Sequence, residues 1–169
     1  MLVYIPIGIL QAGRNELSKV EERLAALGHT LPDSGPPVAN FVNAVRAGNL
    51  VFLSGHGPRR DSEYVYRGKV GKEVDVETGR KAAELVMLNC LGSLKQEIGD
   101  LDRVKRVVKL LGMVNAVPEF TEHPKVINGG SDLLVAAFGE AGRHARSAVG
   151  VGSLPFDMTV EIEMIVEVS

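Results

Sequence analysis

An α+β domain is the fold class that this sequence predicts: one β-sheet with two helices packed on one face, preceded by an extra N-terminal helix. Three observations predict it. Two stretches with helical spacing, residues 75–98 and 124–139, alternate with runs rich in β-branched residues. The last run has a period of two. Met158, Val160, Ile162, Met164 and Val166 share one side, and Thr159, Glu161, Glu163, Ile165 and Glu167 share the other. That is the pattern of a strand with one covered face. Finally, 169 residues with 45% hydrophobic and 24% charged content suit one globular domain with a sizeable core.

Each element follows from local signals. Residues 1–10 form an apolar run too short to span a bilayer and without the basic start of a secretory signal, so an extra strand, a partner-contacting arm or a misplaced start codon is expected. A helix opens at Asn15, with Leu17, Val20, Leu24 and Leu27 at helical spacing and Gly28 as its stop. Residues 31–37 are a breaker-rich linker, so the chain divides into an arm, helix and linker (1–37) and a main domain (38–169). Runs at 41–45 and 50–53 flank Ala47-Gly48-Asn49 as a hairpin. Ser54-Gly55-His56-Gly57-Pro58 reads as a loop, followed by a short strand around 64–66. The helix at 75–98 ends at Gly99-Asp100. A β-rich run at 103–114 carries Arg103, Lys105, Arg106 and Lys109 at positions expected to be exposed. The helix at 124–139 contains Asn128-Gly129-Gly130, which reads equally as an interruption or a polar turn. Strands at 147–151 and 158–168 close the chain.

Composition excludes several function classes. A net charge of −2 supplies no basic field for nucleic acid or membrane, and 5% aromatic content with no Trp leaves little for base stacking. Cys90 is the single cysteine, so no intrachain disulfide can form, and a reducing, cytoplasmic setting is expected. Cys90 sits in a helical stripe beside Leu91 and Leu94, the setting of a buried core thiol. His29, His56, His123 and His144 show no paired metal-ligand spacing, so no metal site is expected. The loop at 54–58 lacks the Gly-Lys-Ser/Thr ending of a phosphate loop.

Chemistry concentrates at two positions. Arg146 stands where an apolar strand begins, and a guanidinium grips a carboxylate at two points, which lysine cannot do. Glu161 returns on the following strand, where a carboxylate can hold or activate water. On periodicity alone, a solvated arginine at a strand end and an exposed acidic sheet face account for the same residues.

The tail His144-Ala145-Arg146-Ser147-Ala148-Val149, running on to Leu154 and then Val160-Glu161-Ile162, resembles the signature of the RidA/YjgF family. His144 departs from it, standing where the signature has Pro or Ala. Residues 42–55, ending in Ser54-Gly55, resemble that family's first hairpin, and Asp102-Arg103-Val104 also fits. The resemblance spans roughly residues 38–168, and the helix at 15–28 is similar to a longer-chain branch labelled chorismate-mutase-like for its fold.

What the resemblance implies is a chorismate-mutase-like, YjgF-type fold assembled as homotrimers, with ligand clefts between subunits and no cofactor. Its implied activity is hydrolysis of reactive 2-enamine and 2-imino acids to 2-keto acids and ammonia. Arg146 would bind the substrate carboxylate, Glu161 would handle the attacking water, and Gly55 would line the pocket with Ser54 beside it. Asn128 matches a polar site residue, and Phe41 stands where the family has a tyrosine. Competing readings are a trimer that binds keto acids without turnover, an endoribonuclease and a chorismate mutase. Net acidity argues against the endoribonuclease, and a lone arginine against the mutase.

Overall fold

The computed structural model describes residues 17–169 except 34, 38 and 62. The expectations for residues 1–16, including the helix start at Asn15, lie outside them. Helix α1 covers Lys19–Ala26. Ser18 caps it by accepting from the Glu21 amide, and Glu21 reaches back to the Ser18 amide, so two orphan donors are satisfied reciprocally. The Asp102 carboxylate accepts from the amides of Lys19 and Val20, and Arg23 donates to the Ala137 carbonyl. Val20 and Leu24 are buried, which docks α1 on the main body.

Strands β1 (Ala44–Ala47) and β2 (Leu50–His56) form the predicted hairpin. Strands β3 (Arg59–Arg60) and β4 (Glu63–Tyr64) form a second, two-stranded sheet. Helix α2 spans Val76–Ile98, β5 spans Val104–Asn115, α3 spans His123–Phe138, β6 spans Ala145–Val151 and β7 spans Val160–Val168. The Asp75 side chain caps α2 at the Thr78 amide, and Gly99, at φ 81°, ends it. The main sheet has the order β1-β2-β7-β5-β6. β7 is antiparallel to both neighbours, while β5 and β6 are parallel, so α3 is the crossover between them. α2 links β2 to β5 across the inserted β7.

Both long helices lie on one face. Val160, Ile162, Met164 and Val166 are all at most 1% exposed beneath them, as the period of two predicts. The helices cross closely at Gly129 and Gly130, where an added Cβ would meet the Arg80 and Ala83 carbonyls of α2. This resolves the Asn128-Gly129-Gly130 ambiguity. The helix is continuous there, and the glycines serve contact between backbones.

Four expectations need correction. Residues 54–56 continue β2 instead of forming a loop. The pairing slips between Leu53 and His56 on β7, so a bulge absorbs Ser54-Gly55. The strand placed at 64–66 is half of the β3–β4 hairpin, whose turn uses Asp61 at φ 55°. Thr159 is buried ahead of β7, with its hydroxyl donating to the Gly68 carbonyl, and does not share the acidic face. Lys109 is half-buried and donates to Ser147 Oγ at 2.8 Å instead of extending into solvent.

Among the described residues no helix covers the second sheet face. Val45, Phe52, Ile165 and Lys109 are cross-strand neighbours there, with Leu111 and Glu163 in the next row. Val45 is 53% and Phe52 42% exposed. A groove runs between them, lined also by Leu111, Glu163 and Ile165.

Candidate active site

Arg146 is positioned by α3. Its register partner Leu110 is fully buried under the helices, so Arg146 projects on the helix-covered side, at the sheet edge. Its Nη1 donates to Asn128 Oδ1 at 2.9 Å and to Ser131 Oγ at 3.0 Å. Asn128 and Ser131 stand three residues apart on α3 and so share one face of the helix. Both acceptors are neutral, and among the described residues no carboxylate pairs with this half-buried guanidinium. With both Nη1 hydrogens engaged, the Nε–Nη2 edge is left over. That edge is a planar fork matched to a carboxylate.

Behind Ser131 stands His144. Its Nδ1 lies 2.6 Å from the Gly142 carbonyl and its Nε2 3.0 Å from Ser131 Oγ. Burial first, and the positive charge of Arg146 as well, hold its pKa below the usual histidine value, against the Gly142 hydrogen bond.

Glu161 and Gly55 meet elsewhere. The Glu161 carboxylate lies over the Gly55 backbone, in the space that a Cβ would fill, so a larger residue there would displace the carboxylate. Burial raises the Glu161 pKa, and the neighbouring Glu163 charge raises it further. Phe41 and Gly55 line a cavity of about 60 Å³ with Asn43, His56, Tyr64 and Asn89. Ser54 is tied down, because its hydroxyl donates to the Val42 carbonyl at 2.6 Å. His56 sits with Nδ1 2.6 Å from the Ser54 carbonyl and Nε2 2.7 Å from Ser93 Oγ. A carbonyl only accepts, so Nδ1 carries the hydrogen, and the neutral ring takes one from Ser93. Burial keeps it neutral by lowering its pKa, so Ser54 and His56 are a structural tie.

The structure thus gathers the expected residues into two groups. Arg146 and Asn128 form one, and Gly55, Glu161 and Phe41 the other, with Ser54 alongside. Within one chain the groups stay apart. Arg146 registers with Leu110 and Glu161 with Met113, on opposite faces of the sheet and with β5 between them. Strand geometry puts their Cα atoms on the order of 14 Å apart. Ser131, His144, Ser93 and Asn89 were not singled out from sequence as site residues. The spacing of Asn128 and Ser131 on one helix face was the available signal for Ser131.

Residues 21–168 match the family model described as "YjgF/chorismate_mutase-like, putative endoribonuclease". The chain belongs to the YjgF/RidA family. Protein TCP17 of Trypanosoma cruzi is 43% identical over 152 residues, covering 89% of this chain and 95% of that protein. The crystal structure of Atu1372 from Agrobacterium tumefaciens, a protein of unknown function, is 46% identical with a TM-score of 0.82, covering 88% of this chain and 91% of that one. RidA from an Antarctic Psychrobacter is more distant, at 26% identity and a TM-score of 0.56, covering 83% of this chain and 100% of that one. The fold is therefore the YjgF-type α+β fold with the additional helix α1. Family membership leaves the reaction open, since relatives carry names as different as RidA and endoribonuclease.

Proposed function

We propose that this protein hydrolyses reactive 2-enamine and 2-imino acids to 2-keto acids and ammonia, in a cleft shared by two copies of the chain. The observation that carries this reading is Arg146: half-buried, anchored by neutral acceptors, unpaired with any carboxylate among the described residues, and with one fork edge to offer. A half-buried guanidinium held by neutral acceptors keeps its full charge and its second fork edge for an anionic ligand. The uncovered apolar sheet face supports assembly of copies, as homotrimers, because contiguous exposed apolar surface marks an interface. Such assembly would bring the Arg146 group of one protomer toward the Glu161 group of another.

The chemistry is modest. Arg146 fixes the substrate carboxylate and so the orientation of the C=N carbon. An enamine enters as its imine tautomer. Water attacks that carbon of the N-protonated imine, the C=N π pair moves to nitrogen, and Glu161 takes the water's proton as the C–O bond forms. The resulting carbinolamine then collapses. Glu161 returns the proton to nitrogen, and as the C–N bond breaks the carbinolamine hydroxyl gives its own proton to Glu161. This releases ammonia and the 2-keto acid, and Glu161 then passes that proton to solvent. The raised pKa of Glu161 suits a group that both accepts and returns a proton. No step calls for a cofactor. In this reading residues 38–169 form the working domain, Phe41 and Asn128 shape the pocket, and residues 1–37 are an appendage.

The test is an assay that generates 2-aminoacrylate or 2-iminobutyrate in situ and follows its decay. Acceleration by the wild type and none by Arg146→Ala is expected. Absence of acceleration by the wild type, with 2-ketobutyrate still bound, favours a binding module. We also place the protein in the cytoplasm. A relative 26% identical over 157 residues is named Protein MMF1, mitochondrial, in Saccharomyces cerevisiae, so fractionation of cells tests that placement. Among the described residues no helix is long and apolar enough to cross a membrane.

A further inference from the structure

Four groups form a chain with a single consistent hydrogen-bond direction. The Gly142 carbonyl can only accept, so His144 Nδ1 donates to it at 2.6 Å. In the neutral ring Nε2 is then an acceptor, 3.0 Å from Ser131 Oγ, and the hydroxyl hydrogen must point toward it. This leaves the lone pairs of Ser131 Oγ facing the Nη1 of Arg146 at 3.0 Å. The alternative tautomer would set two acceptors, Nδ1 and the Gly142 carbonyl, against each other. The charged groups nearest in sequence are engaged elsewhere: Arg143 with Glu140, and Asp132 of α3 with Arg80 of α2. Arg146 is thus the charge that His144 faces.

We infer that His144 is a positioning residue: as the Nδ1–H tautomer it orients the Ser131 hydroxyl, and through it holds the Arg146 guanidinium with its Nε–Nη2 edge turned to the incoming carboxylate. The inference rests on the proposed role of Arg146. It adds a residue whose ring Nε2 is the acceptor that fixes the Ser131 hydroxyl. Without that acceptor, Ser131 can rotate its hydrogen toward Arg146 and withdraw its lone pair. The guanidinium is then held by Asn128 alone and samples orientations that present no fork.

The consequence is one of affinity and not of turnover. Arg146 holds the carboxylate equally in the ground and transition states, so its orientation affects KM and ligand Kd more than kcat. His144→Leu is expected to weaken 2-ketobutyrate binding about tenfold and to raise KM similarly, with kcat within about twofold, as loss of roughly one hydrogen bond to a charged group implies. Ser131→Ala should have a similar effect. Because the two residues act in series, His144→Leu should add almost nothing in the Ser131→Ala background.

The experiment is titration calorimetry with 2-ketobutyrate on the full chain for wild type, His144→Leu, Ser131→Ala, the double variant and Arg146→Ala, with thermal unfolding of each. Nitrogen NMR of the wild-type histidines reads the tautomer directly. Binding by the wild type, loss in Arg146→Ala and non-additive weakening in the other variants support the inference. If the wild type binds, Arg146→Ala does not and His144→Leu equals the wild type, His144 has no positioning role, while the reading of Arg146 stands. If the wild type does not bind, the reading of Arg146 fails and this inference falls with it. An Nε2–H tautomer for His144 overturns the inference whether or not His144→Leu folds.

Discussion

Replacing Arg146 by lysine keeps the charge and removes the geometry, so it isolates what the guanidinium fork contributes. In the folded chain the Arg146 Nη1 spends its hydrogens on Asn128 Oδ1 and Ser131 Oγ, at 2.9 and 3.0 Å. A lysine ammonium has three donors in all. Placed among the same acceptors, it would satisfy Asn128 and Ser131 with two of them and turn one toward the ligand. The variant therefore offers one charge-assisted bond to the carboxylate where the arginine offers two. A hydrogen bond to a charged group is worth about 1.5–3 kcal/mol, so the loss corresponds to roughly 10- to 150-fold in kcat/KM. The assay is the decay of 2-iminobutyrate made in situ, with thermal unfolding as the check on folding. Folding should survive, because lysine satisfies the same two acceptors. A lysine variant within twofold of the wild type would refute the two-point grip and reduce Arg146 to a diffuse positive charge.

Gly55→Ala should cost at least about tenfold in kcat, because the new methyl occupies the space of the Glu161 carboxylate and displaces it. Steady-state kinetics checks this, and unchanged kcat would mean that Glu161 is not needed where it now lies. Glu161→Gln should abolish turnover yet raise the melting temperature at pH 7. The folded-state pKa of Glu161 is raised, so the ionised carboxylate destabilises the fold above that pKa, and the penalty fades as pH falls through it toward the unfolded value. Melting curves at pH 4 and 7 read this directly, with the gain expected only at the higher pH. Glu163→Gln removes the repulsive neighbour and should move the acid limb of the rate profile to lower pH. Ile165→Asp puts a charge into the uncovered apolar face. It should leave circular dichroism intact, shift the protein to monomer in size-exclusion chromatography and remove activity.

Much of the fold was legible because its helices and its last strand have clean periods. The alternation through β7 identified the covered face, and Val160, Ile162, Met164 and Val166 lie on it. The bulge at Ser54-Gly55 was not legible. A glycine between Ser and His reads as a loop until the partner strand is known, and it is the Glu161 carboxylate on β7 that occupies the space of the missing Cβ. Asn128-Gly129-Gly130 was undecided for a similar reason, since the approach of α2 explains the glycines and leaves Asn128 on the helix face that meets Arg146. The resemblance singled out Arg146, Glu161, Gly55 and Asn128, and the structure shows which of them touch. It could not have singled out Ser131 or His144 as partners of Arg146, because their role is a hydrogen-bond direction between a helix and a strand start.

The separation of the two groups bears on why the sheet leaves one face uncovered. If Arg146 binds the carboxylate and Glu161 handles water, as proposed, their places on opposite faces of one sheet keep them from acting on one small molecule within a single chain. Keeping them apart also prevents them from neutralising each other. At hydrogen-bond distance Arg146 and Glu161 would form an ion pair, the glutamate pKa would fall, and neither the fork nor the base would be available. Placing the arginine on an edge strand beside α3 and the glutamate on a central strand avoids that outcome. In the proposed reading the face left open by the described helices supplies the surface by which copies meet, with Val45, Phe52 and Ile165 in one row and Lys109 ending it. In this account assembly is a condition of catalysis, since the substrate carboxylate is what finally sits between a positive group from one protomer and a base from another.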